Sequence, residues 1–428
     1  MNPTNVSAAK KNKSFLGFAW LVWGLAATFY FSDYLARVAP GVMHRFLQID
    51  FGINEVGFGI LTASFYVPYI VMQIPVGLTV DRLSIRGLLT IMSIVTAFGC
   101  GVFGLADGLM MASIGRMLIG FSAAFAFVCS LRLATSWFPP SMLGLLSGLT
   151  QAIGMLGAAA GEAPVSFLVA QVGWRHSMLI IAFIFIALAG LLYQFVRDKP
   201  GQRRHEIQTV DRISILESLK IILSSKQTWL NAMYAGFLFG PTAVIGEAIG
   251  PAYLQFGRGL GAHAAAFATG LIFIGWGISG PLSGWISDRI GLRKPLMIVS
   301  AVFGLIFTTL LVFLPHMSQT TAYLLLFFFG ITNTGVAIAY AVSTELHERN
   351  VLGTSIAFTN MTSIFVGALL QPLVGWLVDL VAGERAYNVE SLLLSDFQAG
   401  LKLLPLCSLV ALILSFTIKE THCKPIRH

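Results

Sequence analysis

The chemistry that this sequence could carry depends on charged side chains that lie inside long apolar stretches. Two are basic and three are acidic: Asp33, Arg37, Arg116, Glu162 and Glu247. Charges in apolar surroundings are costly, so they face an interior and mark ion or substrate paths. An Arg can bind an anion with its planar fork, and a buried carboxylate can exchange a proton. HExxH, Walker, GxSxG and Cys/His metal patterns are missing from the sequence. We therefore expect no enzyme and no cofactor or metal.

The spacing of these charges leaves several pairings open. Asp33 and Arg37 are four residues apart and could pair on one helix face, which would only stabilise their helix. Arg116 could pair with Glu162 on a neighbouring helix, or could clamp a carbonyl group. Glu247 has no basic partner at its depth in its own half of the chain. It could take up a proton, or it could meet Arg37 across the molecule and form part of a substrate gate. We expect proton coupling to involve Asp33, Glu162, Glu247 and Arg116.

Aromatic and amide side chains in the same stretches could complete a substrate pocket around Arg37. Each of them could equally serve packing or bonding between helices. The candidates are Tyr30, Tyr34, Tyr66, Tyr69, Gln73, Gln151, Trp276, Asn333, Tyr340, Asn360 and Gln371. One accessible Arg with such a lining predicts a substrate that has an anionic group and could be zwitterionic.

The elements that position these residues follow from the composition. Charged residues make up 11% of the 428 residues, against about 25% in globular domains. Hydrophobic residues reach 56% and the mean hydropathy is +0.80, which excludes a soluble enzyme, a disordered protein and a disulfide scaffold. We number twelve apolar stretches as spans 1 to 12, near 15–46, 55–80, 87–106, 109–137, 142–170, 176–196, 227–256, 264–287, 295–314, 321–344, 351–379 and 397–418. Each must be helical, because lipid offers the backbone no hydrogen-bond partners.

Proline placement predicts where the helices are interrupted. Five spans contain such positions, which are Pro40-Gly41 in span 1, Pro68 and Pro75 in span 2, Gly240-Pro241 and Gly250-Pro251 in span 7, Gly280-Pro281 in span 8 and Pro372 in span 11. Such breaks free backbone groups that can line a cavity. We expect these five spans to bend.

The basic residues predict the orientation in the membrane. Nineteen of the 27 Lys and Arg residues lie on the side of the N-terminus, and four lie on the other side. Positive charge collects in cytoplasmic loops, so both termini are predicted to be cytoplasmic, and the net charge of +8 does not require nucleic acid. The outward loops carry no N-glycosylation sequon, which favours a bacterial inner membrane. The first apolar run is too long for a signal peptide.

A repeated loop sequence divides the chain into halves. Gly77, Asp81, Arg82 and Arg86 follow span 2, and a second copy 207 residues later follows span 8 with Gly284, Asp288, Arg289 and Arg293. Each copy follows the second span of its half, and both lie on the same side of the membrane. This indicates two parallel repeats of six spans each. The predicted organisation is a tail at 1–14, a bundle at 15–196, a linker at 197–226, a bundle at 227–419 and a tail at 420–428.

These loops resemble the signature G-x-x-x-D-R-x-G-R-R/K of the major facilitator superfamily. The first copy has Ser84 and Ile85 where Gly and Arg are usual, and the second has Leu292 at one basic position. The resemblance covers nearly the whole chain and implies twelve transmembrane helices in two six-helix bundles related by a pseudo-twofold axis. The eight repeated loop residues would then hold the halves together on one side. The alternative is a plain interfacial turn with charges that reach the water.

Other motifs place the chain more finely within the superfamily. The run from Arg116 through Gly120 to Ala124 resembles its second motif, and 137–140, 148–151 and 173–175 resemble the sugar-phosphate-permease-like branch. Members of that branch that carry phosphate esters have one inward Arg on span 1 and one on span 7. Arg37 matches the first, whereas span 7 has no Arg around Ala243. A phosphate dianion would lack one of its two contacts, and the span 5 signature of drug antiporters is also not met.

The sequence therefore predicts a secondary active transporter that moves a small organic anion or zwitterion by alternating access, coupled to proton symport. Its partners would be the substrate, protons and the lipid bilayer, and we expect a monomer that binds no nucleic acid. Two alternatives stay open: an exporter of a drug or a polycarboxylate metal chelator, and a transporter-like membrane receptor. A channel is disfavoured, because the buried charges differ between the halves.

Overall fold

The computed structural model describes residues 3–139, 142–198, 215–348 and 351–424. Side chains are described from residue 17 onward, except at 74, 78, 81, 82, 215 and 216. Every regular element within these residues is helical. Most of the predicted linker and the last four residues of the predicted C-terminal tail lie outside the described residues.

The spans have the following bounds in chain order. They are Pro3–Val38 (span 1), Glu55–Ala63 with Tyr66–Arg82 (span 2), Ile85–Gly104 (span 3), Leu109–Trp137 (span 4), Leu143–Phe195 (spans 5 and 6), Lys226–Val244 with the segments to Gly257 (span 7), Ala262–Ile290 (span 8), Lys294–Phe313 (span 9), Gln319–Thr332 with Thr334–Glu345 (span 10), Leu352–Ala382 (span 11), and Leu394–Leu401 with Leu403–Thr417 (span 12).

Ten described stretches are long and apolar enough to cross a membrane. One of them, Leu143–Phe195, holds two spans, because Gly173 adopts a φ of 78° and breaks the helix there. The first helix, Pro3–Val38, completes the twelve predicted spans. Short helices at Ala39–Met43 and His44–Phe51 continue from span 1, and Ile215–Ser224 precedes span 7.

Span 7 departs from α-helical geometry where the sequence predicts an interruption. Its π-helical segments, Ile245–Ile249 and Tyr253–Gly257, flank a short α-helical piece that contains Gly250 and Pro251. Pro251 has no N–H to donate to the carbonyl four residues earlier, which belongs to Glu247. The Gly250 N–H instead donates to Ile245, five residues back. A Cβ on Gly250 would overlap that carbonyl oxygen, so the π turn depends on glycine. Such turns cluster at functional sites.

The predicted interruptions of spans 8 and 11 are wrong. Helix Ala262–Ile290 runs through Pro281, and helix Leu352–Ala382 runs through Pro372. A membrane helix can continue through a proline, which lacks one N–H, when neighbouring helices or side chains provide a hydrogen bond to the freed carbonyl. Span 8 has a Gly-Pro pair as well, Gly280-Pro281, but Gly280 has open space around it, whereas Gly250 of span 7 lies directly against the carbonyl of Ile245 in the wider turn.

Glycines set the closest helix contacts, and these contacts repeat in the two halves. A Cβ on Gly120 in span 4 would overlap the carbonyl of Phe65 in span 2, and a Cβ on Gly330 in span 10 would overlap that of Ile272 in span 8. The Phe65–Ile272 offset equals the 207 residues of the loop repeat. Between the halves, span 5 packs along span 8 and span 2 packs against span 11. The helix contacts therefore follow the repeat in the sequence.

Candidate functional site

The central ionic contact joins span 1 to span 7. Arg37 Nη2 lies 2.8 Å from Glu247 Oε1, and Nε and Nη2 of Arg37 donate to Glu247 Oε2 at 3.2 and 3.1 Å. Only 4% of Arg37 and 2% of Glu247 are exposed. This fork is the geometry in which Arg binds a carboxylate most strongly. Of the two alternatives that the sequence left open for Glu247, the structure thus contains the contact with Arg37 across the two halves.

Aromatic rings enclose this ion pair. The Tyr66 hydroxyl donates to Glu247 Oε2 and accepts a hydrogen bond from Arg37 Nη2 at 3.4 Å. The guanidinium carbon of Arg37 lies 5.1 Å from the ring centres of Tyr34 and Tyr66 and 5.3 Å from that of Phe65. These distances suit cation–π attraction. The rings therefore stabilise the positive charge whether or not a carboxylate is bound.

Arg116 acts as a clamp on backbone carbonyls. Its Nη1 donates to the carbonyls of Ala36 and Arg37 at 3.2 and 2.9 Å, and its Nη2 donates to that of Thr62 at 3.3 Å. Span 4 is thereby tied to spans 1 and 2 at the depth of Arg37. The pairing of Arg116 with Glu162 that the sequence left open is not made, because the carbonyls take the guanidinium donors.

Two carboxyl groups of the same layer have no ionic partner among the described residues. Neither oxygen of Glu162 has a hydrogen bond, and Oδ1 of Asp33 has none. Both side chains are buried. The possible pair between Asp33 and Arg37 does not form, because Arg37 turns to Glu247. The layer therefore contains one ion pair, one carbonyl clamp and two free carboxyl groups.

Several of the predicted pocket residues meet beside this layer. The Tyr30 hydroxyl donates to Gln151 Oε1 at 3.3 Å, and the Tyr30 ring meets that of Tyr34 edge-on, with centroids 5.0 Å apart. Across the molecule, Asn360 donates to Gln73 Oε1 at 2.8 Å and accepts from Tyr340 at 2.7 Å. The candidates that stay partly exposed are Tyr34, Tyr69, Gln73, Gln151, Trp276, Tyr340 and Asn360. Polar side chains of both halves thus meet here through the bond between Asn360 and Gln73.

Two candidates serve the packing of the second half instead. Asn333 is fully buried, and it exchanges hydrogen bonds with Thr242 at 3.0 and 2.9 Å. Gln371 donates to the carbonyl of Ala243 at 2.9 Å and is also buried. Trp276 lies 6.0 Å from Phe239, with its ring partly exposed. The helix-bonding alternative accounts for Asn333 and Gln371.

A polar seam that sequence reasoning missed joins the halves on the predicted outer side. The backbone N–H groups of Glu55 and Val56 donate to the carboxylate of Asp379, both at 3.1 Å. Gln48 donates to the carbonyl of Ala386 at 3.2 Å and accepts from the backbone of Val389 at 2.9 Å. These residues lie at the ends of spans 1, 2 and 11, more than 300 residues apart, and no sequence pattern links them. The seam ties the two halves together on this side.

The first copy of the repeated loop stays within its own half. Arg86 lies over the ring of Tyr193, 4.2 Å from its centroid. Ser84 caps span 3 and donates to Asp198, which also accepts from the backbone of Ile85 at 2.9 Å. Gly77 is exposed, while the side chains of Asp81 and Arg82 lie outside the described part. The described contacts of this loop do not hold the two halves together.

The second copy is tied to the C-terminal segment. Arg293 binds Glu345 at 2.7 Å and Asp288 at 2.7 Å, while Arg289 lies 5.4 Å from the Trp285 ring. Gly284 has open space around it. These contacts also lie within one half. This agrees with the alternative in which the loop is a plain interfacial turn.

Glu420 completes this network. Its carboxylate accepts backbone N–H bonds from Arg293 at 2.9 Å and Lys294 at 2.8 Å, which caps span 9. Partial burial alone would raise the pKa of Glu420. The bonds from these two residues, Thr421 and His422 outweigh burial and hold its pKa below the usual value. Sequence reasoning missed this cap, because Glu420 is far from span 9 in the chain.

Twelve helical spans around a buried ion pair define the class: a multi-pass membrane protein with a polar site inside its helical bundle. A match to the Major Facilitator Superfamily covers residues 22–372. The chain therefore belongs to this superfamily of membrane transporters.

Relatives of similar length share about a quarter of its residues or slightly fewer. The "Hexuronate transporter" of Bacillus subtilis is 25% identical over 81% of this chain and 85% of that protein. The "Probable galactarate/D-glucarate transporter GudP" of Escherichia coli is 22% identical over 81% and 84%. The "Membrane sensor protein UhpC" of Salmonella typhimurium is 23% identical over 83% and 82%.

A solved structure has the same fold. The bacterial homologue of the human lysosomal transporter Spinster, in an inward-facing and unoccupied conformation, superposes with a TM-score of 0.73. The alignment covers 94% of this chain and 97% of that one at 14% identity. The chain thus has the major facilitator fold of twelve transmembrane helices.

Proposed function

We propose that this protein is a secondary active transporter that moves a small organic anion together with a proton by alternating access. The observation that carries the proposal is the buried fork between Arg37 and Glu247. Glu247 occupies the position on Arg37 that a substrate carboxylate would need. Substrate binding therefore requires that Glu247 leave, and a protonated Glu247 leaves most readily.

Charge balance then couples the two solutes. An unpaired charge buried between the halves costs several kcal/mol. The empty carrier is neutral there, because Arg37 and Glu247 compensate each other. The loaded carrier is neutral as well, because the substrate carboxylate compensates Arg37 and a proton compensates Glu247. Substrate alone or proton alone leaves one buried charge unpaired, and such half-loaded states are disfavoured during the conformational change.

The lining favours an organic anion that also carries hydrogen-bonding groups. One Arg suits one carboxylate, and the amides and phenols of Gln73, Gln151, Tyr340 and Asn360 suit hydroxyl or amino groups. Relatives named for hexuronate and for galactarate/D-glucarate transport support this substrate class. We place the protein in a bacterial inner membrane as a monomer of two six-helix bundles, with both termini in the cytoplasm.

In this proposal the carrier is in its inward-facing state. The seam of Gln48, Glu55 and Asp379 closes the predicted outer side, and the repeated loops on the other side make their described contacts within each half. Breaking the outer seam and the central ion pair together would open the site to the outside.

Uptake into proteoliposomes tests the coupling. The probes are D-glucuronate, other carboxylates, amino acids and dipeptides. A proton gradient directed into the vesicles drives accumulation of the transported probe by the wild type. Glu247→Gln keeps the shape of the side chain but removes its charge and its proton exchange. We expect this variant to lose gradient-driven accumulation while it still exchanges substrate in counterflow, because counterflow needs no net proton transfer.

The outcomes separate the possible functions. Gradient-driven accumulation by Glu247→Gln at the wild-type level would remove Glu247 as the coupling site. Binding of a probe by the wild type without any transport would point to the receptor class. An Asp50→Asn variant is the control, since Asp50 pairs with Arg175 within one half at an exposed position, and it should transport like the wild type.

A further inference from the structure

Span 5 carries a carboxyl group that the coupling described above does not use. Glu162 is fully buried, and neither of its carboxyl oxygens has a hydrogen-bond partner among the described residues. An ionised carboxylate without a partner costs several kcal/mol to bury, and a neutral carboxylic acid costs far less. Glu162 is therefore much easier to bury as the neutral acid than as the carboxylate.

Glycines of two other spans make room for Glu162 beside the π segment. The position that a Cβ of Gly41 would take is 3.8 Å from Glu162 Oε1 and 3.2 Å from the carbonyl oxygen of Ala248. A Cβ on Gly270 of span 8 would lie 3.5 Å from the Glu162 Cβ. Ala248 directly follows Glu247, so the carboxyl group of Glu162 borders the segment that carries the coupling residue.

The titratable groups around Glu162 come from three spans. Glu247 of span 7 directly precedes Ala248, whose carbonyl oxygen borders Gly41 together with Glu162 Oε1, and Arg37 of span 1 holds Glu247. One helical turn from Glu162, ~6 Å along the axis of span 5, Ser166 Oγ lies 3.4 Å from Nδ1 of His263 in span 8. His263 is exposed.

A cavity connects this face to the predicted outer side. It encloses about 150 Å³ and is lined by residues that include Gly41, Ser166, Pro251, Gln255 and His263. This volume holds several water molecules. Gly41 and Ser166 thus border both the water-sized space and the neighbourhood of Glu162.

We propose that Glu162 is a second proton-binding residue, which relays protons between this cavity and Glu247. The inference rests on the proton coupling proposed above. The O–H bond of Glu162 breaks as an O–H bond forms on Glu247, and Arg37 is released. Glu162 then regains a proton from water in the cavity. Once the substrate carboxylate has bound Arg37, no buried charge is left unpaired, and no further co-reactant is needed.

The relay is tested by comparing two rates in the same proteoliposomes with D-glucuronate as the probe. One rate is uptake driven by a pH gradient, and the other is counterflow at equal pH. For Glu162→Gln we expect the ratio of the first to the second to fall at least about tenfold, in line with the loss of a proton-transfer group. Glu162→Asp restores part of the ratio. Gln255→Asn is the control, because Gln255 lines the same cavity but has no exchangeable acidic proton. We expect this variant to leave the ratio unchanged.

An infrared measurement tests the protonation state without transport. The wild type shows a carboxylic acid C=O band that Glu162→Gln lacks. A Glu162→Gln variant with the wild-type ratio, or with both rates lowered equally, overturns the relay, as does the absence of that band. If wild-type uptake ignores the pH gradient altogether, the proposed coupling fails, while the infrared band still decides whether Glu162 binds a proton.

Discussion

At the scale of single residues, Arg37 is held from three directions. Glu247 takes its charge, the rings of Tyr34, Phe65 and Tyr66 surround its guanidinium group, and Arg116 binds its backbone carbonyl. The guanidinium therefore keeps its position when the carboxylate partner changes. Such preorganisation lowers the cost of binding an anion.

Replacement of Arg37 by Lys tests the need for the planar fork. Lys keeps the charge but loses the two-point contact, which contributes about 1.5–3 kcal/mol for a hydrogen bond to a charged group. We expect substrate affinity to fall about ten- to a hundredfold, as measured by calorimetric titration of the purified protein. Arg45→Lys is the control, because Arg45 pairs with Glu390 at an exposed position. Equal affinity in Arg37→Lys would assign Arg37 a purely structural role.

At the scale of helices, glycines determine how closely the spans approach. Gly157 of span 5 faces the backbone of span 1, and a Cβ there would overlap the carbonyl of Phe31. Phe31 lies between the pocket residues Tyr30 and Tyr34. Close packing at Gly157 therefore helps to fix the part of span 1 that carries the aromatic lining.

A Gly157→Ala substitution should force spans 1 and 5 apart. Overpacking of this kind costs about 1–3 kcal/mol, and we expect a lower midpoint of thermal unfolding in detergent together with weaker substrate binding. Gly148→Ala on the same span is the matched control, since the nearest atom to its Cβ lies 4.0 Å away. If the two variants unfold at the same temperature, the close contact at Gly157 does not limit stability.

The helices can be predicted from the sequence because a lipid bilayer requires each spanning segment to satisfy its own backbone hydrogen bonds. Length and apolar composition predict the spans, and the repeat at Gly77 and Gly284 predicts the two halves. Span 7 is interrupted at Gly250-Pro251, whereas span 8 runs through the same dipeptide at Gly280-Pro281, so a Gly-Pro pair does not by itself decide whether a membrane helix breaks. The seam between Glu55 and Asp379 and the Glu420 cap could not be predicted from the sequence, because they depend on which helix ends, distant in the chain, come together in the fold.

At the scale of the whole molecule, the outer seam and the Arg37–Glu247 pair join the same two halves. Sequence reasoning placed Arg37 and Glu247 at one depth but left their pairing open, because depth along a helix does not fix the direction of a side chain. The structure supplies that direction. Loss of the central pair removes a contact that favours the outward-closed state, so solute binding and the conformational change are linked.

Proton uptake on substrate binding tests this account most directly. Purified protein in weakly buffered detergent solution is titrated with D-glucuronate, or with whichever carboxylate the uptake screen identifies, while the pH is recorded. We predict that the wild type takes up close to one proton for each substrate bound near neutral pH, and that Glu247→Gln binds substrate without proton uptake. Substrate binding by the wild type with no proton uptake at any pH would contradict the exchange of Glu247 for substrate on Arg37.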